Sequence, residues 1–145
     1  MKKTNFIRKT PEYGAKKGEQ EHQLMEKENQ LSEAIEAALD KKAQDAVVLE
    51  LGGICSFTDY FLVCAGTSTR HNQTIADGIE ETLKKLGVRP LHIEGYAEGE
   101  WILLDYVDFV VHVFSARARE FYDLERLWRA GKRRDANELI GQRTL

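Results

Sequence analysis

No run of apolar residues in this sequence approaches the roughly 18–20 that a membrane span requires. The basic residues near the N-terminus are not followed by an apolar stretch, so the pattern of a secretory signal is missing. Cysteine is scarce. Only Cys55 and Cys64 occur, both in or beside apolar strand-like sequence, and they read as small buried hydrophobes rather than a disulfide or a metal pair. The histidines His22, His71, His92 and His112 are scattered singly, which does not suit a zinc site of four closely spaced ligands. The expectation is a bacterial-type cytoplasmic protein with no cofactor, no metal and no membrane partner.

What is present is a modest core and an uneven charge. A chain of 145 residues argues for one domain. The formal net charge is −3, yet residues 1–17 carry Lys2, Lys3, Arg8, Lys9, Lys16 and Lys17 against Glu12 alone. The remainder is acidic. An acidic body does not suit bare nucleic acid such as DNA, where lysine and arginine must neutralise phosphates. It suits a basic protein partner.

Residues 1–20 are polar, contain Pro11, Gly14 and Gly18, and show no period. They read as a disordered basic leader, either a solvated tail or an arm touching RNA. A helix is expected over Glu21–Lys42, with Leu31, Ile35, Ala38 and Leu39 at helical spacing. Strands are expected at Asp45–Leu51 and Asp59–Ala65, the second nearly all apolar, as a strand covered on both faces should be. A helix over Thr69–Leu86 follows, with Ile75, Ile79, Leu83 and Leu86 as its buried stripe and Gly87 as its stop. LHIEG, GEWILLDY and DFVVHVFS read as three more strands, the last two as antiparallel neighbours. ARAREFYDLERLWR reads as a closing helix with Phe121, Leu124 and Trp128 on one side. Residues 131–145 read as a polar tail, loose or weakly docked. The fold class is α+β: a domain over residues 21–130 with a single mixed sheet of about five strands and flanking helices.

The stretch GTSTRHNQ, Gly66–Gln73, has the look of a catalytic loop between a strand and a helix. It lacks the lysine of a P-loop and the spaced glycines of a dinucleotide fingerprint. Ser68 and His71 stand three apart at a helix start, where hydroxyls serve as N-caps. Capping accounts for Gly66 to Thr69 without chemistry. It leaves Arg70 and His71 unexplained, a positive pair set against the helix dipole. Metal-dependent nucleotidyl transfer would need carboxylates converging on magnesium. Asp59 stands alone, and Asp105 and Asp108 flank a turn, so no such cluster is evident.

The stretch GEWILLDYVDFVVHVF is harder to explain as core. By strand alternation Ile102 and Leu104 share one side with Phe109, Val111 and Val113. The other side carries Trp101, Leu103, Asp105, Asp108, Val110, His112 and Phe114. That mixture has the composition of a protein-binding patch. The alternative is that a helix covers it, leaving Trp101 buried and His112 hydrogen-bonded.

GTSTRHNQTIAD, then EG, then EWILLDYVDFVVHVF, then REFYDLERLW resembles the Iojap family of ribosomal silencing factors. The similarity covers about Leu31 to Trp128, with the motifs in the family's order. The resemblance implies a nucleotidyltransferase-like fold without catalysis. It implies binding to ribosomal protein L-fourteen on the large subunit, where the small subunit docks. Occupancy would block subunit joining and repress translation in starvation. The alternative functions are a large-subunit assembly factor and a nucleotide-binding protein. The resemblance further implies a homodimer when free.

On this resemblance the partner surface is placed at Trp101, Leu103, Asp105, Tyr106, Asp108 and His112. Trp101 and Tyr106 would be apolar anchors, and Asp105 and Asp108 would pair with basic residues. Arg70, His71, Arg119, Tyr122 and Glu125 match other motif positions; they either complete the patch or hold the last helix on the sheet.

Overall fold

The structure, a computed structural model, describes residues 17–143. The basic leader lies outside the described residues up to position 16. Helix α1 spans Lys17–Asp40, opening four residues ahead of the expected start. Strand β1 is Gln44–Glu50 and β2 is Tyr60–Gly66. Helix α2 is Thr69–Lys85, followed by β3 at His92–Glu94, β4 at Trp101–Asp105 and β5 at Phe109–Ser115. The chain closes with α3 (Ala116–Tyr122), α4 (Leu124–Leu127), β6 (Lys132–Asp135) and α5 (Ala136–Arg143).

One sheet runs in the order β3-β4-β5-β2-β1-β6. The β2–β5 pair is parallel and the other pairs are antiparallel, so the sheet is mixed. Its two faces hold separate cores. Val48, Leu62, Ile102, Leu104, Phe109, Val111 and Val113 lie under Leu31, Ile35 and Ala38 of α1 and Ile75, Ile79 and Leu83 of α2. Val47, Leu49, Phe61, Val63, Val110 and Phe114 lie on the opposite face with Ala118 of α3 and Leu124 of α4. Two covered faces explain why β2 is buried along its whole length.

Three expectations are corrected. The tail is neither loose nor outside the domain: β6 pairs with β1 in register, and Ala136, Leu139 and Ile140 of α5 pack into the first core. The sheet therefore has six strands rather than five. The closing helix is broken at Asp123, whose φ of +46° is left-handed. The break turns Phe121 outward while Leu124 stays buried, so the two no longer share a side. Leu86, finally, is not part of the α2 stripe. It caps the helix and is exposed, while Gly87 at φ +81° reverses the chain and Val88 N–H donates to Leu83 O at 2.9 Å.

Candidate partner surface

The second face is covered only in part. Helices α3 and α4 are short, and the rings beneath them reach daylight at both ends. Trp101 is half-buried at the start of β4. Its ring meets Tyr122 at 4.5 Å and Phe114 at 5.0 Å between centroids. Its Nε1–H donates to His112 Nδ1 at 3.1 Å. His112 is 4% exposed and touches Phe61 at 4.5 Å. Phe61 continues to Trp128 at 5.8 Å, and Trp128 to Phe57 at 6.2 Å. A chain of rings thus runs from Tyr122 to Phe57. Its ends are open to solvent: Phe57 is 60% exposed and Phe121, against Tyr122, 79%, with Leu127, 70% exposed, in the same hollow as Phe121. Large apolar side chains clustered in this way mark a contact surface.

The face is part buried and part open. His112 is enclosed by the rings of Phe61, Trp101 and Phe114, and burial pushes its pKa down to about 3, so the ring is neutral. Its Nδ1 accepts from Trp101, which places the proton on Nε2. Trp101, Leu103 and Tyr122 remain half-buried or exposed above it.

An ion pair sets the angle of the cover. Arg119 Nε and Nη2 donate to Glu125 Oε1 and Oε2, each at 3.1 Å, across the Asp123 break. Burial alone would raise the Glu125 pKa, but Arg119 and then Arg133 outweigh it and hold the carboxyl below its ordinary value. The pair therefore clasps α3 to α4, with Arg133 of β6 joining it at 3.4 Å.

Other predicted residues lie elsewhere. Tyr106 is a correction: it is 6% exposed in the first core, stacked on Phe109 at 5.1 Å, and offers no surface anchor. Burial raises its hydroxyl pKa. Asp105 shares the Trp101 face but sits at the far end of β4, about 13 Å away by strand rise. Its Oδ1 accepts from Val107 N–H at 2.8 Å. Asp108 pairs with Lys27 of α1 at 3.3 Å rather than standing free.

GTSTRHNQ is a fastener. Ser68 Oγ accepts the His71 N–H at 2.9 Å as the N-cap of α2. His71 Nδ1 accepts from Thr67 N–H at 2.8 Å, and its Nε2–H donates to Lys41 O at 2.7 Å. His71 thus ties α2 to the end of α1. Arg70 stays exposed, but on the helix that covers the opposite face. Sequence reasoning passed over Asn72, which is fully buried and donates from Nδ2 to Gly99 O at 2.7 Å. It also passed over Phe57 and Leu127, whose exposed positions carry no sequence period.

Charge is divided differently from expectation. The segment 116–134, which runs from α3 through α4 into β6, holds seven basic residues against three acidic. The acidic excess lies elsewhere on the protein. Among the described residues, no three histidine, cysteine, aspartate or glutamate side chains are grouped to hold a metal ion. No helix among them is long and apolar enough to cross a membrane.

The family model described as "Ribosomal silencing factor during starvation" matches residues 24–144. That span takes in β6 and α5, which the sequence resemblance left out. A protein called ribosomal silencing factor in Halalkalibacterium halodurans is 38% identical over 104 residues, covering 72% of this chain and 89% of the relative. A mouse protein called mitochondrial assembly of ribosomal large subunit protein 1 is 33% identical over 91 residues, covering 61% of this chain and 40% of the relative. A crystal structure from Chromobacterium violaceum aligns with a TM-score of 0.68 at 36% identity, over 70% of this chain and 84% of that one.

Proposed function

The chain belongs to the ribosomal silencing factor family, and we propose on that premise that its exposed aromatic surface docks on the large ribosomal subunit and keeps the small subunit from joining. The observation that carries this reading is the ring chain from Tyr122 to Phe57, open at both ends on a sheet face otherwise covered. Aromatic anchors beside charged residues are how protein interfaces concentrate their binding energy. Inhibition works by occupancy. Each bound copy removes one large subunit from the joining pool, and no bond is made or broken.

In this reading the partner is ribosomal protein L-fourteen, met in the cytoplasm when nutrients are scarce. Trp101, Leu103 and Tyr122 form the centre of contact. His112 supports Trp101 from beneath, and the Arg119–Glu125 pair fixes the angle at which Tyr122 is presented. Asp105 reaches a basic side chain at the far end of β4. The free protein pairs with a second copy through the same surface, so self-association competes with docking.

Co-sedimentation with separated subunits, followed by a subunit-joining assay, tests the proposal. Binding to the large subunit alone, with fewer joined ribosomes as protein is added, is the expected result. Binding to neither subunit removes the reading. The name of the mouse relative favours a second reading, in which the protein serves assembly of the large subunit. Gradient profiles separate the two: an assembly factor follows immature particles and leaves mature ones free.

A further inference from the structure

The chain from α3 into β6 is basic on a protein that is acidic as a whole. Segment 116–134 carries a formal charge of +4 within a chain of −3, which leaves −7 on the rest. Arg126 and Arg129 line the shallow hollow beside Phe121, Tyr122 and Leu127. Neither has a carboxylate within ion-pair distance among the described residues. Arg133 of β6 pairs in register with Leu49, which places it on this same face. Its side chain is 63% exposed, and its one contact is 3.4 Å to Glu125, whose two oxygens already serve Arg119. Glu120 and Asp123 border the hollow as well and balance its two arginines, so the positive excess on this face is completed by Arg133 beside it.

We propose that Arg126, Arg129 and Arg133 contact the phosphate backbone of ribosomal RNA beside the docked aromatic surface; this rests on the ribosome-docking reading above. The large subunit is a polyanion. A body with seven net negative charges is repelled by it unless the positive strip leads. The strip therefore selects the face that arrives first, and guanidinium groups with unused donors then meet phosphate oxygens. Contacts of this kind release condensed counterions, so they leave a signature in the salt dependence that apolar anchors do not. Arginine would meet carboxylates as readily, so an acidic protein neighbour is the competing outcome of the test.

The experiment is large-subunit co-sedimentation between 50 and 200 mM salt, for the wild type, the triple variant R126Q/R129Q/R133Q, and Phe121→Ala. The triple variant is expected to lower the slope of log affinity against log salt by about 2–3. Phe121→Ala is expected to weaken binding at an unchanged slope. A benzophenone attached at Arg129→Cys then reports the neighbour. Cross-links to RNA are expected, while Cys55 and Cys64 stay unlabelled because they are buried. A wild-type slope in the triple variant, or cross-links to protein alone, overturns the proposal while docking itself stands. A wild-type protein that does not sediment with the large subunit removes the docking reading instead.

Discussion

His112 lies under Trp101 and is held neutral. Its pKa in the folded protein is near 3, below the ordinary value of about 6.5 for an unfolded chain. The sign follows from linkage. Above pH 6.5 neither state binds the proton and stability is full. Below it the unfolded chain takes a proton that the folded one refuses, so stability falls by roughly 1.4 kcal/mol per unit down to about pH 3. Urea unfolding from pH 7 to 4 is expected to show this slope, and His112→Gln is expected to flatten it. Trp101→Ala removes a ring packed on Phe114 and Tyr122 along with the donor to His112, so it costs stability and binding together. Phe121 separates the two effects. It is exposed, and among its ring contacts only Tyr122 is close. Phe121→Ala is expected to leave the melting temperature unchanged and to weaken large-subunit binding by about 30-fold, the loss of one anchor worth ~2 kcal/mol. Titration calorimetry with large subunits reads the affinity.

At the scale of elements, the joint between α3 and α4 is a left-handed aspartate bridged by Arg119 and Glu125. Arg119→Ala strips a half-buried carboxylate of its main partner and is expected to cost about 2 kcal/mol in urea unfolding. The β4–β5 turn holds Val107 at φ +73°, where a β-branched residue is strained. Val107→Gly is expected to raise stability by about 1 kcal/mol, read from the melting temperature. Truncation after Gly131 exposes the core positions under α5 and is expected to lose about 3 kcal/mol, from three apolar side chains partly or wholly buried. A tail that was only loosely docked would show no loss.

These elements also show where the sequence was legible. Apolar alternation located β4 and β5, and the Ser68 cap and Gly87 stop bounded α2. KRRD has no apolar residue, so β6 is invisible to any hydrophobic period; it forms because β1 offers it a ladder. The Asp123 break has no proline or glycine to announce it. Tyr106 shares the parity of Ile102 and Leu104, so its burial was readable, but the family resemblance drew it into the patch. Trp101, Leu103 and Tyr122 lie together and partly open on one face, whereas His71 and Asp108 are occupied by partners distant in sequence.

At the scale of the whole molecule, one face of the sheet is sealed by α1, α2 and α5 and the other is half-open. If the half-open face serves both self-association and docking, added large subunits should convert dimer to bound monomer. Sedimentation velocity with labelled protein would show the dimer peak shrinking in proportion to subunits added. A dimer that binds the subunit intact would place the two contacts on separate surfaces.

The edges of the sheet have a consequence of their own. At one side β3 offers three residues, and at the other β6 offers four, all charged. Such edges are poor templates for another strand. If the protein blocks by occupancy, one copy per particle, as proposed above, its copies must rival the ribosomes in number. At that crowding a long bare edge would zip neighbouring copies into fibres. Under that proposal, blunt borders such as these would let a cell keep a large standing stock of the protein, ready for use and not lost to aggregates.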